Sequence, residues 1–304
     1  MVQGITDTVL MIRPKNFGPN PETLLDNKFQ EGGEGVDPKI ILNQAIEEFD
    51  DMVALLRKHD IEVIVIEDTA SPAKPDAIFP NNWFSTHANG TISTYPMMSE
   101  LRRLERRDDV VEKLMELRSY KKHYVFEYHE PSEEYLEGTG SMILDRHNKI
   151  VYAGLSQRTN IKVLEKFAVL YNYKKVIFHP FDRHGDPIYH TNVMMHVGTD
   201  LAVICLASIK SEEEQKEIKQ SLSATNKTIL DITLEQMEQF AGNMLEVKSK
   251  LGQKYLVMSN TAYTSLTDNQ ISTIEKHLKI LHIPIPNIEK YGGGSVRCMI
   301  AEIY

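Results

Sequence analysis

One element order recurs along this sequence and leaves few architectures open to it: strand, tight turn, strand, helix, strand. Apolar alternation predicts a strand over 77–87, a turn at Ala88-Asn89-Gly90, a partner strand over 91–97, a helix over about 100–119 and a strand over 123–129. The order returns with hairpin strands at 141–144 and 150–154, a helix over about 160–171 and a strand at 175–178. It returns again with strands at 192–197 and 201–207, a helix from near Ser211 and a strand at 228–232. A fourth copy has strands at 244–248 and 255–259, a helix over about 268–281 and a short strand near 283–285. The N-terminal copy has the strand Val9 to Pro14, a helix opened by Asp37-Pro38 and the buried strand EVIVIE (62–67), but no first strand. The strand after Cys298, MIAEIY, can supply it by pairing with Val9 to Pro14. That pairing closes five α/β units into a ring with few free sheet edges.

A polar residue precedes the first strand of each unit: Asp76, Glu137, His190, Asn243 and Cys298, spaced by 61, 53, 53 and 55 residues. Singly, each has an ordinary structural reading: a cap, a core histidine, a turn residue, a buried thiol. Equivalent positions in a ring face its axis, so the five are expected to converge there. Cys298 follows three glycines and adjoins Arg297, a setting in which a thiolate is favoured. A cysteine nucleophile with a histidine acid/base suits attack on an electrophilic carbon. Carboxylates beside it repel an oxyanion but match the N–H groups of a guanidinium or a related ureido group.

Other features bound the function. The chain has 304 residues, 41% apolar and 25% charged, enough for a substantial core, and is expected to form one catalytic domain over 1–304. Its net charge of −9 disfavours a nucleic-acid partner. Two cysteines, Cys205 and Cys298, are too few for a disulfide framework, and His184, His190 and His196 are not completed into a zinc set, so no metal or cofactor is expected. With no apolar run of membrane-spanning length and no secretory leader, the expectation is a cytoplasmic protein, and a homo-oligomer is compatible with it. The Pro/Gly/Asn-rich stretch 15–36 is long for a loop, and a lid role is expected for it. The run RRLERR (102–107) reads as a solvated basic helix face, with a reach of Arg102 or Arg103 to a substrate carboxylate as the alternative.

The motifs PDAIFPNNW (75–83), LEGTGS (136–141), GLSQRTN (154–160), YHTNVM (189–194), GNMLE (242–246) and GGGSVRCM (292–299) run nearly end to end. In them the chain resembles the guanidino-group-modifying superfamily of arginine deiminases, dimethylarginine dimethylaminohydrolases and amidinotransferases. The spelling is closest to a bacterial amidinotransferase-like, citrulline-hydrolysing branch. The resemblance implies a five-bladed α/β propeller, the pentein fold. It also implies a catalytic set of Cys298, His190 and Glu137, with Asp76 on the substrate nitrogens and Arg158 on its α-carboxylate. Asn192, Asn243 and Arg297 fall among the expected substrate contacts. Arginine deiminases carry His-x-Asp where this chain has His190-Thr191-Asn192, which removes a negative charge and favours a neutral ureido group. The expected reaction is hydrolysis of a C–N bond in citrulline or an arginine derivative through a covalent cysteine intermediate. Amidino transfer to an acceptor amine and arginine deimination remain the alternatives.

Overall fold

Five three-stranded sheets carry the chain in the computed structural model, which describes residues 4–24 and 27–304. In each sheet the middle strand pairs antiparallel with the first strand and parallel with the third. The first unit joins β1 (Thr8–Arg13) and β2 (Glu62–Glu67) to the C-terminal β15 (Ala301–Ile303). Thr8 lies opposite Ile303 and Leu10 opposite Ala301, so the chain ends close the ring as the sequence predicts. The second unit holds β3 (Phe84–His87), β4 (Thr91–Thr94) and β5 (Lys122–Val125), and the third β6 (Ile143–Asp145), β7 (Ile150–Gly154) and β8 (Lys174–Phe178). The fourth holds β9 (Met195–Val197), β10 (Leu201–Ile204) and β11 (Thr228–Asp231). In the fifth, β12 (Leu245–Lys248) and β13 (Lys254–Ser259) pair with β14 (Lys279–Ile283).

Each parallel crossover carries a helix whose apolar face covers the sheets. In Ile161–Tyr171 the buried residues are Val163, Leu164, Phe167, Ala168 and Tyr171, a stripe at helical spacing. Asp37 caps Pro38–Lys58 through the backbone N–H of Lys39, and Pro38 sits in the first turn, where its missing donor is harmless.

Several predicted elements need correction. The first strands are shorter than alternation indicates, because one-turn helices precede them: Pro80–Asn82, Gly138–Ser141 and Thr191–Met194. Residues 80–82, 141 and 192–194 fall within the predicted strands, but long-range bonds hold them as turns. Ser141 Oγ donates to Arg158 O at 2.7 Å, and Thr191 Oγ1 donates to Ser141 O at 2.6 Å. The predicted helix 100–119 is two helices, Glu100–Arg103 and Asp108–Arg118. The predicted helix 268–281 ends at Glu275, and the strand expected near 283–285 is β14, which begins at Lys279. Among the described residues no helix is long and apolar enough to cross a membrane.

Candidate active site

The turns that enter the five first strands gather at one end of the ring. A cavity there is lined by Asp76, Phe79, Asn82, Arg102, Arg158, Tyr189, His190, the three glycines 292–294 and Cys298, with Thr23 and Asn27 above them. The cavity has room for about one water.

Cys298 Sγ is flanked by two amides. Asn192 Nδ2 and Asn243 Nδ2 each donate to it at 3.3 Å. Asn243 does not line the cavity; it stands behind the sulfur and is held by both ends. Its Oδ1 accepts from the backbone N–H of Arg297 at 2.9 Å, and its Nδ2 also donates to Asn192 O at 3.1 Å. The Arg297 side chain does not reach the cavity, contrary to expectation. It donates to Ile300 O at 2.8 Å and pairs with Glu302 at 2.8 Å, so the residue serves the site through its backbone.

Glu137 likewise stands behind the cavity, and both its oxygens are engaged. Oε1 accepts from the Met98 N–H at 2.9 Å, and Oε2 meets His190 Nε2 at 2.7 Å. Arg158 and Arg102 approach Oε2 at 3.5 and 3.9 Å. Burial pushes this carboxyl up, but Arg158, the His190 hydrogen bond and Arg102 outweigh it and hold Glu137 below the usual carboxylate range. Burial lowers the His190 pKa despite Glu137, with Arg158 and Arg102 adding to the effect. The pair is therefore an ionised carboxylate and a neutral imidazole whose Nε2–H points at Glu137. That tautomer leaves Nδ1 as the proton acceptor.

Asp76 is 3% exposed. Its Oδ2 accepts from Asn20 Nδ2 at 2.7 Å and lies 3.7 Å from Arg102 Nε, while Oδ1 has no protein partner. Burial raises its pKa against the opposing pull of Arg102, Asn20 and Arg158.

Arg102 corrects the reading of its run as a solvated face. It is 4% exposed, makes a fork with Glu105 at 2.8 and 3.0 Å, and donates to Asn82 Oδ1 at 2.9 Å. Leu104 points outward instead. Glu105 is pushed up to about 7 by burial, partly offset by Arg102. Neither residue is distinguishable by spacing from a surface helix. Arg102 is buried against Glu105 one turn on and the carboxylates of Asp76 and Glu137 from distant segments, and Glu105 against the Arg102 fork. Arg158 extends over the Tyr189 ring at 5.1 Å from its centroid and lines the cavity.

The loop 15–36 lies across the mouth, residues 25 and 26 falling outside the described residues. Asn27 Nδ2 donates to Gly293 O at 3.2 Å, and Gln30 Nε2 donates to Tyr291 O at 2.9 Å. Glu22 accepts from Ser99 Oγ at 2.6 Å and from the Leu101 N–H at 3.1 Å. Gly293 has φ +62, and a Cβ there would strike Asn27 and Gln30, so glycine permits both the turn and the contact. Among the described residues no group of three or more His, Cys, Asp or Glu side chains is arranged to hold a metal ion.

The family model described as N,N dimethylarginine dimethylhydrolase, eukaryotic, matches residues 13–304. The chain belongs to this family. It is thus a member of the guanidino-modifying pentein superfamily, as its motifs imply. No curated protein matches the dimethylarginine dimethylhydrolase-family chain in sequence. Solved structures share its fold. The N-terminal domain of ArgZ, an arginine dihydrolase from the ornithine-ammonia cycle in cyanobacteria, superposes with a TM-score of 0.74 at 15% identity, covering 97% of both chains. AgrE in complex with L-arginine superposes with a TM-score of 0.76 at 17% identity over 98% of this chain, which spans 40% of AgrE. A dimethylarginine dimethylaminohydrolase adduct gives a TM-score of 0.66 at 14% identity, covering 98% of this chain and 99% of the other. At these identities the likeness is one of fold.

Proposed function

We propose that this chain is a cysteine-dependent hydrolase of a C–N bond in a ureido or guanidino amino acid, with citrulline as the substrate that fits best. Residues 1–304 act in this reading as one catalytic domain. The observation that carries the substrate choice is the amide of Asn82. Its Oδ1 is occupied by Arg102, which fixes Nδ2 as a donor, and that buried Nδ2 has no protein partner. A guanidinium presents only donors to it; a ureido carbonyl presents an acceptor. Asp76 Oδ1 stands ready for one ureido N–H.

The chemistry follows from the pairings. As Cys298 Sγ bonds to the ureido carbon, its proton passes to His190 Nδ1, and the Asn192 and Asn243 amides stabilise the sulfur anion. His190, now charged and held by Glu137, protonates the departing δ-amine as the C–N bond breaks. This step leaves a thiocarbamoyl enzyme and ornithine. Water then attacks the carbonyl carbon, gives a proton to His190 and releases carbamate, and the thiolate recovers its proton from His190. In this reading Asn82 Nδ2 donates to the carbonyl oxygen as negative charge builds on it.

The relatives support a second reading, since AgrE is described with L-arginine and ArgZ as an arginine dihydrolase. A product assay across citrulline, arginine, agmatine and methylated arginines, with and without an acceptor amine, separates the readings. Ornithine, carbon dioxide and ammonia from citrulline are expected. Faster release of ammonia and citrulline from arginine would replace this reading with a deiminase, and a product carrying the acceptor amine would replace it with a transferase.

A further inference from the structure

We infer that a second small-molecule site lies at the opposite end of the ring from Cys298, and that it takes a small zwitterion carrying a carboxylate and a primary ammonium. The catalytic turns lead into the first strands, whereas this second cavity lies where those strands end and turn back. It measures about 430 Å³, within the range of small-molecule sites, and the hairpin turns after β6, β9 and β12 line it. Arg146 supplies the carboxylate half. The residue is 6% exposed, and its guanidinium is fixed by Glu302 Oε1 at 3.3 Å, the Thr86 carbonyl at 3.1 Å and the Tyr304 ring at 4.2 Å. Its Nη2 lines up no partner among the described residues. A buried N–H left unpaired is costly, and a guanidinium nitrogen can only donate, so the missing partner is an acceptor. The carboxylate that Arg146 does contact is shared, since Glu302 Oε2 also pairs with Arg297 at 2.8 Å. An incoming carboxylate therefore meets two cations against one anion there.

His196 and Glu246 supply the ammonium half. His196 is 4% exposed, and its Nε2 has no partner among the described residues. Burial and Arg297 keep the ring neutral. Its backbone hydrogen bond at Met244 raises the ring's pKa, as donation to a carbonyl does, so the proton sits on Nδ1 and Nε2 is an acceptor. Glu246 is 3% exposed; its Oε2 accepts from the Thr199 N–H at 2.5 Å, and Lys254 stands 3.9 Å from the other oxygen. The two acceptors face one space. A Cβ added to Gly198 would strike Glu246 Oε2 and stand 3.2 Å from His196 Nε2, so glycine keeps that space open. An ammonium carries three donors and no acceptor, and can satisfy both atoms at once. It also brings the positive charge that favours an ionised Glu246, whose pKa burial raises.

The test is an NMR titration of the full chain carrying isotope-labelled histidine, which reads the ring signals of His196 and His190. His196→Gln and His190→Gln assign them. The probes are glycine, β-alanine and γ-aminobutyrate, which hold the two charges at increasing separation, with acetate and methylammonium as single-charge controls. The expected result is a saturable shift of the His196 signal by at least one zwitterion, with both controls binding about tenfold or more weakly. Gly198→Ala fills the space between the two acceptors and is expected to lose that shift while the His190 signal keeps its wild-type position. Arg146→Lys keeps a charge beside Glu302 but gives up Nη2, and is expected to weaken the zwitterion about tenfold. A His196 signal that no zwitterion shifts in the wild-type protein overturns the inference, as does one that acetate or methylammonium shifts at equal concentration. A zwitterion that shifts His190 alone also overturns it, since the binding then belongs to the catalytic cavity. These readouts need no turnover, so a failed second site and a failed citrulline assay are distinguishable.

Discussion

Asn243 Nδ2 lies 3.3 Å from Cys298 Sγ, and the backbone N–H of the neighbouring Arg297 fixes which way that amide points. One side chain therefore ties the turn of the fifth unit to the nucleophile of the first and presents a donor to the sulfur. Asn243→Ala removes that donor and leaves the Arg297 N–H unpaired. Its kcat is expected to fall about 10- to 100-fold, the weight of a hydrogen bond to a charged group. Asn243→Asp keeps the acceptor for Arg297 but turns an anionic oxygen on the sulfur, so its loss is expected to be larger. Steady-state kinetics and the rate of iodoacetamide alkylation at neutral pH check this. Equal kcat in all three proteins would remove Asn243 from the mechanism.

The two cysteines are expected to behave differently towards a thiol reagent. Cys205 is buried in an apolar cluster, and burial pushes its thiol up to about 11, so little thiolate is available there. Cys298 lines the cavity between two amide donors. Alkylation of the native protein is expected to label Cys298 alone and to stop turnover in proportion, with Cys205 labelled only after unfolding. Cys298→Ser is expected to lower kcat by about 10⁴-fold or more while leaving the melting temperature close to wild type. Peptide mapping that finds Cys205 labelled first would count against the assignment.

What the sequence conveyed about the site depended on whether a residue's role is set by its place in the repeat. Asp76, Glu137, His190, Asn243 and Cys298 each sit at the entry to a first strand, and equivalence in the ring brings those entries together. Arg102 has no such place. Its burial depends on Glu105 one turn away and on Asp76 and Glu137 from other segments, contacts that local spacing does not encode. Asn20 is hidden for a different reason, since asparagine in a Pro/Gly loop is the ordinary residue of a turn. Arg297 shows the reverse: it adjoins the nucleophile in sequence, yet its guanidinium turns to Glu302 and only its backbone serves the site. Strand lengths failed locally as well. Residues 192–194 and 80–82 lie within runs read as strand, and tertiary hydrogen bonds hold them as turns.

Gly140 sets the spacing between the second and fourth units at the site. A Cβ there would collide with Asn82 Nδ2 and would stand 2.9 Å from His190 Cε1 and Nδ1. Gly140→Ala must displace the group assigned to the substrate carbonyl, the proton-transferring nitrogen, or both. A misplacement of that kind is expected to cost about 100-fold in kcat/KM. Overpacking is expected to lower stability by about 1–3 kcal/mol, which denaturant titration measures separately. Near-normal kcat/KM in a folded Gly140→Ala protein would show that neither group needs its observed position.

Acid stability should depend on His196, which lies outside the site. The residue is 4% exposed, its Nε2 has no protein partner, and burial together with Arg297 lowers its pKa to about 3, Glu302 opposing. The unfolded chain returns it to its ordinary value of 6.5. The folded pKa lies below the unfolded one, so as pH falls below 6.5 the unfolded chain binds a proton that the folded chain refuses. The stability present above 6.5 is therefore lost as pH drops towards about 3. Between about pH 7.5 and about pH 5.5 this one group is expected to cost about 1.4 kcal/mol, or about 2–4 °C in melting temperature. His87 and His190 act in the same direction, and Glu105, pushed up to about 7 by burial, acts against them. All three are shared with a His196→Gln variant, so their contributions cancel in a comparison. The expected outcome is a wild-type melting temperature that falls about 2–4 °C further than that of His196→Gln over this pH interval. Parallel profiles for the two proteins would mean that His196 takes up its proton in the folded state, and that water entering from the far end of the ring offsets the burial.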